Sequence, residues 1–170
     1  AQTLTAFMRE LRHALDVQRD TVRGSRIDVG AVVAATEQEN LMDGIDLKAW
    51  VEEGLIDTLI PYTSHPGYDS HPAAWTDPSE LSFFADLVRG TPCILAPNLM
   101  PRHQSPEDFR RRAAVVYGAG AEHMFMWDAA GASGRANFQP MWSGLRRLGH
   151  KNEINSWIDG GEPSLARLAK

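Results

Sequence analysis

Four short apolar segments recur along the chain at a nearly constant spacing. They begin near residues 27, 57, 92 and 123, so the intervals between them are 30, 35 and 31 residues. One strand and its crossover helix take about 30 residues in a βαβ unit. The spacing therefore predicts four parallel strands that alternate with helices and form a sheet covered by those helices.

The local patterns give bounds for these elements. The predicted strands cover residues 27–34, 57–62, 91–97 and 122–127. The predicted helices cover residues 3–23, 47–53, 78–89, 105–117 and 138–148, and the polar stretch 36–44 and the residues 63–76 are predicted as loops. Asp46 is the predicted N-cap of the second helix, and Asp77 and Glu80 form a predicted capping box at the start of the third. Residues 1–150 form one predicted βα-repeat domain, and residues 151–170 form a predicted C-terminal helical tail.

Composition excludes several classes of function. The 170 residues carry a net charge of −5 and no basic stripe, which argues against a nucleic-acid partner. No apolar run approaches the roughly 20 residues of a membrane helix, so no membrane partner is expected. The single cysteine, Cys93, forms no internal disulfide and no cysteine-based zinc site. No glycine-rich phosphate loop follows a predicted strand, so no nucleotide and no other cofactor is predicted.

Two sheet arrangements fit four strands of this kind. One is an open, doubly wound sheet of the flavodoxin type. The other is part of a (β/α)8 barrel, which needs about 250 residues, so that this chain would supply its C-terminal half. A half-barrel has two open sheet edges, which favour pairing with another chain.

Aromatic, amide and acidic residues follow the predicted strands. In barrels the functional site is built from residues at the carboxyl ends of the strands. Sugar rings stack on aromatic side chains, and sugar hydroxyls bind amides and carboxylates. The residues in such positions are Glu37, Tyr62, His65, Asn98, Trp127 and Asp128.

Two stretches of the sequence resemble glycosyl-hydrolase-like TIM-barrel proteins. The first has the pattern D-x-x-x-W-x-x-x-G-x-x-D, with Asp46, Trp50, Gly54 and Asp57, and the strand after it ends in an aromatic residue. The second, over residues 109–128, is similar to the last helix and the eighth strand of those barrels. Together the matching segments span roughly residues 27–150.

The resemblance implies that the four strands are the fifth to eighth strands of a barrel and that the activity is glycoside hydrolysis. In such barrels the acid/base carboxylate follows the fourth strand, which lies outside this chain. The nucleophile would follow the seventh strand, where this chain has Asn98 and no carboxylate. The eighth strand ends in Trp127 and Asp128, where an asparagine is often found.

These considerations give a specific hypothesis for the site. Glu37 and Asp128 are the predicted catalytic or substrate-orienting acids, because glycosidases commonly use two carboxylates. Tyr62 and Trp127 are expected to stack on the sugar, and His65 and Asn98 are expected to hydrogen-bond to an oligosaccharide or a smaller ligand. Each carboxylate has a structural alternative, which is to cap a helix or to pair with a cation. No metal site is predicted.

Three further residues are given roles away from catalysis. Asp57, at the start of its strand, is expected to be structural, and His123 is expected to be a core residue. Trp75 has two alternatives, a place in the sugar-stacking surface or a place in the packing of core and loops.

Two other functions stay open at this point. One is a non-catalytic carbohydrate-binding or scaffold domain, and the other is a flavodoxin-like regulatory domain. The chain begins with Ala1 and has no signal-peptide pattern, which suggests a processed chain or a fragment. The expected partner of the open edges is therefore either a second copy in a homodimer or a missing N-terminal half.

Overall fold

The computed structural model describes residues 2–22, 26–62, 75–99, 106–126, 148–149, 151–152 and 154. The α-helices are α1 (Gln2–Val22), α2 (Glu37–Met42), α3 (Leu47–Glu52), α4 (Ser82–Val88) and α5 (Pro106–Gly118), and a 3-10 turn (Pro78–Leu81) precedes α4. The strands are β1 (Gly30–Ala34), β2 (Thr58–Tyr62) and β3 (Ile94–Leu95). In the described part of the chain, no helix is both long and apolar enough to cross a membrane.

The three strands form one parallel sheet in the order β1-β2-β3, which confirms a mixed α/β fold with a parallel sheet. At the position of the predicted fourth strand there is a single parallel bridge, between Asn98 and Phe125. It consists of a 2.8 Å bond from the Leu99 N–H to the Phe125 carbonyl and a 3.0 Å bond from the Phe125 N–H to the Pro97 carbonyl. The described residues therefore contain three strands and one bridge where the sequence predicts four strands.

Strand β3 is shorter than predicted because of a proline in its neighbour. Ala96 and Asn98 still donate to the carbonyls of Leu59 and Pro61, both at 2.9 Å. Pro61 has no N–H to donate in return, so the ladder loses one of its two alternating sets of bonds at this point. The regular β3 pairing therefore ends at Leu95.

The described helices that contribute to the core pack on one face of the sheet. The core joins Met8 of α1, Trp50 of α3, Phe84 of α4 and Val116 of α5 to Val33, Leu59 and Leu95 of the strands. Right-handed crossovers between strands in simple sequential order place their helices on the same side. A doubly wound sheet reverses its strand order, and no reversal occurs among the three described strands.

The opposite face of the sheet is also apolar. The side chains of Val32 and Ile94 are 49% and 42% exposed there, whereas Ile60 on the central strand is 6% exposed and therefore already covered. A Cβ added to Gly30 would lie 3.7 Å from the Ile60 side chain, so these neighbouring positions share that face. We call it the open face, defined by Gly30, Val32, Ile60 and Ile94.

A charged cluster fixes the amino end of the sheet to α1. One Asp57 carboxylate oxygen accepts from the Val29 N–H at 2.8 Å and pairs with the buried Arg12 guanidinium at 3.3 Å. Arg12 also donates to the Ile27 carbonyl at 2.9 Å, and Arg26 pairs with Asp57 at 3.0 Å. The structural role predicted for the acid at the start of β2 is therefore confirmed.

The predicted loop over residues 36–44 is wrong, because α2 forms within it. The Thr36 hydroxyl accepts from the Glu39 N–H at 3.2 Å and caps the helix. The segment is polar, so its sequence does not indicate a helix. The one buried residue of α2 is Asn40, and this amide packs inward where most helices have several apolar residues.

The Asn40 side chain makes the hydrogen bonds that a neighbouring strand would otherwise make at the end of β1. Its Oδ1 accepts from the Ala34 N–H at 3.0 Å, and its Nδ2 donates to the Ala34 carbonyl at 3.0 Å. Nδ2 also donates to the Thr36 carbonyl at 2.7 Å. The amide thus satisfies both main-chain groups of the last β1 residue while being fully buried.

The Asn40→Ala variant tests this arrangement. It leaves buried main-chain groups of Ala34 without their partner, so we expect the free energy of unfolding to fall by about 2–4 kcal/mol. Urea denaturation measures it, with Gln38→Ala, an exposed change on the same helix, as the control. Equal stability of the two variants would show that the amide contributes nothing.

Candidate functional site

The carboxyl ends of β2 and β3 bring two of the predicted site residues side by side. Tyr62 is the last residue of β2, and Asn98 follows β3. The Asn98 N–H donates to the Pro61 carbonyl at 2.9 Å, which fixes the register between them. Side chains alternate along a strand, so Tyr62 and Asn98 occupy neighbouring positions on the open face. Phe125 continues this row through its bridge to Asn98.

The two residues differ in accessibility. Asn98 is buried, with 2% of its surface exposed, and Tyr62 is half-buried. Tyr62 is therefore the residue of this pair that a ligand can reach, whereas Asn98 is buried.

Glu37 has different surroundings. It is the first residue of α2, and its carboxylate pairs with the Lys48 ammonium of α3 at 2.7 Å. The hydrogen bond with Glu37 raises the pKa of Lys48. Lys48 also lies 5.8 Å from the centre of the Phe83 ring. Glu37 thus makes the contact that sequence analysis gives as its structural alternative, because its carboxylate pairs with a cation.

A small cavity surrounds this ion pair. Its volume is about 210 Å³, and it lies between α2, α3 and α4. The residues that line it are Glu37, Asn40, Leu41, Ile45, Asp46, Leu47, Lys48 and Phe83. Neither Tyr62 nor Asn98 lines it, so Glu37 and the Tyr62–Asn98 pair belong to separate surface features.

The other predicted site residues lie outside the described part of the chain. They are His65, Trp127 and Asp128. Their proposed roles, as a hydrogen-bonding group, a stacking ring and a catalytic or orienting acid, stay predictions.

Trp75 has a structural role. The sequence alone left sugar binding and packing as alternatives for this residue. Its ring is buried, and its indole N–H donates to the Asn98 carbonyl at 2.8 Å. Its backbone has φ of +58°, a left-handed conformation that costs a non-glycine residue about 1 kcal/mol or more. The surrounding contacts must therefore hold Trp75 in place.

Glu80 supplies those contacts. The sequence identifies it as part of a capping box with Asp77, and this box is confirmed. Its carboxylate also accepts from the Trp75 N–H at 3.1 Å, from the Thr76 N–H at 3.0 Å and from the Thr76 hydroxyl at 2.7 Å. The capping motif was visible in the sequence, but the link to Trp75 depends on the left-handed turn, which no motif indicated.

These hydrogen bonds also change the acidity of Glu80. Partial burial alone would raise its pKa, but the hydrogen bonds from Thr76, Asp77 and Trp75 outweigh burial and hold the pKa below its usual value. A depressed pKa in the folded state means that the ionised group stabilises the fold above the ordinary glutamate value of about 4.3. That contribution disappears as the pH falls through the lower, folded-state pKa.

The Glu80→Gln variant tests this linkage. At pH 7 we expect it to lower the free energy of unfolding by about 1–2 kcal/mol, because an amide accepts fewer and weaker hydrogen bonds than a carboxylate. Below the folded-state pKa the difference from wild type should shrink. Urea denaturation at a series of pH values measures it, with the exposed change Glu122→Gln as the control. A difference that stays constant with pH would contradict the assignment.

The remaining nucleophilic and metal-binding groups do not form a site among the described residues. Cys93 is buried, and burial, assisted by the negative charge of Asp57, raises the pKa of its thiol to about 11. His123, which the sequence predicted to be a core residue, is exposed instead. No group of three or more metal-ligating side chains occurs in the described segments.

No family model matches the chain, and no curated protein matches it.

Proposed function

We propose that this chain is a carbohydrate-active domain, the C-terminal half of a glycoside hydrolase-like (β/α)8 barrel. The observation that carries the proposal is the winding of the sheet. Three parallel strands follow one another in simple order, and the described core helices pack against the face that carries Val33, Leu59 and Leu95. This is the layer arrangement of a barrel wall, whose second face becomes the barrel interior.

The character of the open face supports the same interpretation. Barrel interiors are filled by layers of branched side chains from neighbouring strands. Val32, Ile60 and Ile94 are of this type, although Val32 and Ile94 are about half exposed in a single copy. A surface of this kind is stabilised when a second half of the barrel covers it.

Tyr62 and Asn98 form the carbohydrate-binding wall in this proposal. They lie at the carboxyl ends of the strands, where barrel enzymes build their sites. The half-buried ring of Tyr62 stacks on a sugar ring. Trp75 holds the main chain of Asn98 through its indole N–H and so keeps the second residue in a fixed position.

Asp128 is the proposed acid of this half, and the second carboxylate comes from the other half of the barrel. Glu37 is less suited to proton transfer, because its carboxylate is already paired with Lys48. This pairing favours a second candidate function, a non-catalytic carbohydrate-binding domain. The two functions differ only in whether a bound oligosaccharide is cleaved.

Titration calorimetry against a panel of neutral oligosaccharides tests the proposal. We expect binding to at least one of them, and we expect Tyr62→Ala to weaken it about 2- to 10-fold, the effect of losing one stacking contact. Tyr62→Phe keeps the ring and should bind within about twofold of wild type. Absence of binding across the panel would contradict both candidate functions.

Analysis of the same samples for released sugars separates hydrolysis from binding. If the barrel is catalytic, Asp128→Asn should lower turnover by orders of magnitude and leave binding intact. Unchanged turnover would remove the role proposed for Asp128. Binding without any product, in the wild-type protein, would favour the non-catalytic alternative.

A further inference from the structure

Among the described residues no strand pairs with the outer edge of β1, which we call its free edge, and two positions there are open for strand pairing. The Val29 carbonyl accepts from the N–H groups of Asp57 and Thr58, at 2.8 and 3.2 Å, so the main chain of Val29 points toward β2. By alternation the main-chain groups of Gly30, Val32 and Ala34 point to the opposite edge. Asn40 occupies both groups of Ala34. A strand that pairs at this edge therefore bonds to Gly30 and Val32 and ends there.

Helix α1 has an apolar flank that faces away from α3. On its other flank α1 contacts α3, through the 3.1 Å bond between Thr5 and Trp50. Leu4, Phe7 and Leu11 lie roughly 100–160° round the helix from Thr5. Leu4 and Phe7 are exposed, Phe7 by 57%, and Leu11 is partly buried against the core. The flank therefore faces away from α3, and right-handed crossovers in sequential strand order put that direction on the outer side of β1.

Leu4, Phe7 and Leu11, together with Gly30 and Val32, define what we call the β1-edge surface. It contains no charged residue, and its three α1 residues follow the 3-4 spacing of a helix that packs against another helix. A strand and a helix, placed as in the next unit of a barrel, would cover both parts of it. The open face continues this surface from Val32 to Ile94.

We infer that a second copy of this chain covers the β1-edge surface and closes the barrel; this inference rests on the proposed function. The chain has the complementary edge as well. The Phe125 main chain bonds to the segment after β3, so by alternation the groups of Met124 and Met126 point outward. Under a twofold axis, the β1 edge of each copy meets this edge of the other.

The size of the chain fits such a closure. Two copies contain 340 residues, twice the 170 of one chain, which lies within the range of about 200 to more than 400 for barrels of this type. They also supply two sets of four strand positions, if the Phe125 segment is counted. Closure buries the β1-edge surface and the open face at once, whereas a partner at the edge alone leaves Ile94 exposed.

Sedimentation equilibrium of the wild-type chain tests the inference. We expect a species of about twice 18.8 kDa at micromolar concentration. Val32→Lys and Phe7→Lys should each weaken association at least 100-fold, because each places a charge in an apolar contact. The matched control is Met42→Lys, which changes a 79% exposed apolar residue of α2 outside the β1-edge surface and should leave the dimer intact.

Circular dichroism shows whether each variant is folded. Phe7→Lys is the more tolerant change, because the Phe7 ring is largely exposed on a helix, so the test does not depend on Val32→Lys folding. A wild-type chain that stays monomeric up to millimolar concentration would overturn the inference. So would a dimer that Val32→Lys and Phe7→Lys leave unchanged.

An Ala31→Cys variant distinguishes closure from simple edge pairing. If two β1 strands paired antiparallel, with Gly30 opposite Val32, the two residues at position 31 would lie about 4.5 Å apart and a disulfide would form under oxidation. Closure keeps them on opposite sides of the barrel, so no disulfide is expected. A disulfide-linked dimer would overturn closure.

The failure of this inference differs from the failure of the proposed function. A dimer that binds no oligosaccharide supports the assembly and contradicts the function. A monomer that binds oligosaccharide contradicts the assembly and supports the function.

Discussion

The Asp57 carboxylate joins three parts of the chain, and the placement of the sheet depends on it. It accepts a hydrogen bond from the β1 side at Val29, pairs with Arg12 of α1 and pairs with Arg26 before β1. Arg12 is buried and pairs with Asp57 at 3.3 Å and with the half-exposed Asp16 at 2.7 Å, so removal of the Asp57 carboxylate would leave its charge with Asp16 alone among the described acids. One acidic residue thus fixes α1 against the sheet and fixes the amino ends of two strands to each other.

The carboxyl end of the sheet is held by neutral groups instead. Asn40 closes β1, and the indole of Trp75 holds the segment after β3 at Asn98. The contacts that hold the two ends therefore differ in kind: they are ionic around Asp57, and they are neutral hydrogen bonds at Ala34 and Asn98.

The sequence predicted the features that depend on local pattern. The spacing of the apolar segments gave the parallel sheet, and the short polar side chains gave the caps at Asp46 and Asp77, both of which the structure confirms. Tyr62 and Asn98 could be placed together because parallel strands end at one edge. The Asn40 contact and the Glu37–Lys48 pair could not be predicted, because each depends on how separate elements meet in space. Helix α2 was missed because a buried amide anchors it.

The Asn40 amide also bears on how the chain avoids aggregation. An unpaired strand edge is a template for fibril growth, and amyloid-forming segments need about six or seven consecutive pairing residues. With Ala34 already bonded to Asn40, the free edge of β1 is limited to two outward-facing residues. Such an edge is too short to propagate a fibril by itself. An intermolecular contact there must gain most of its free energy from side-chain packing, which discriminates between partners far better than main-chain hydrogen bonds do.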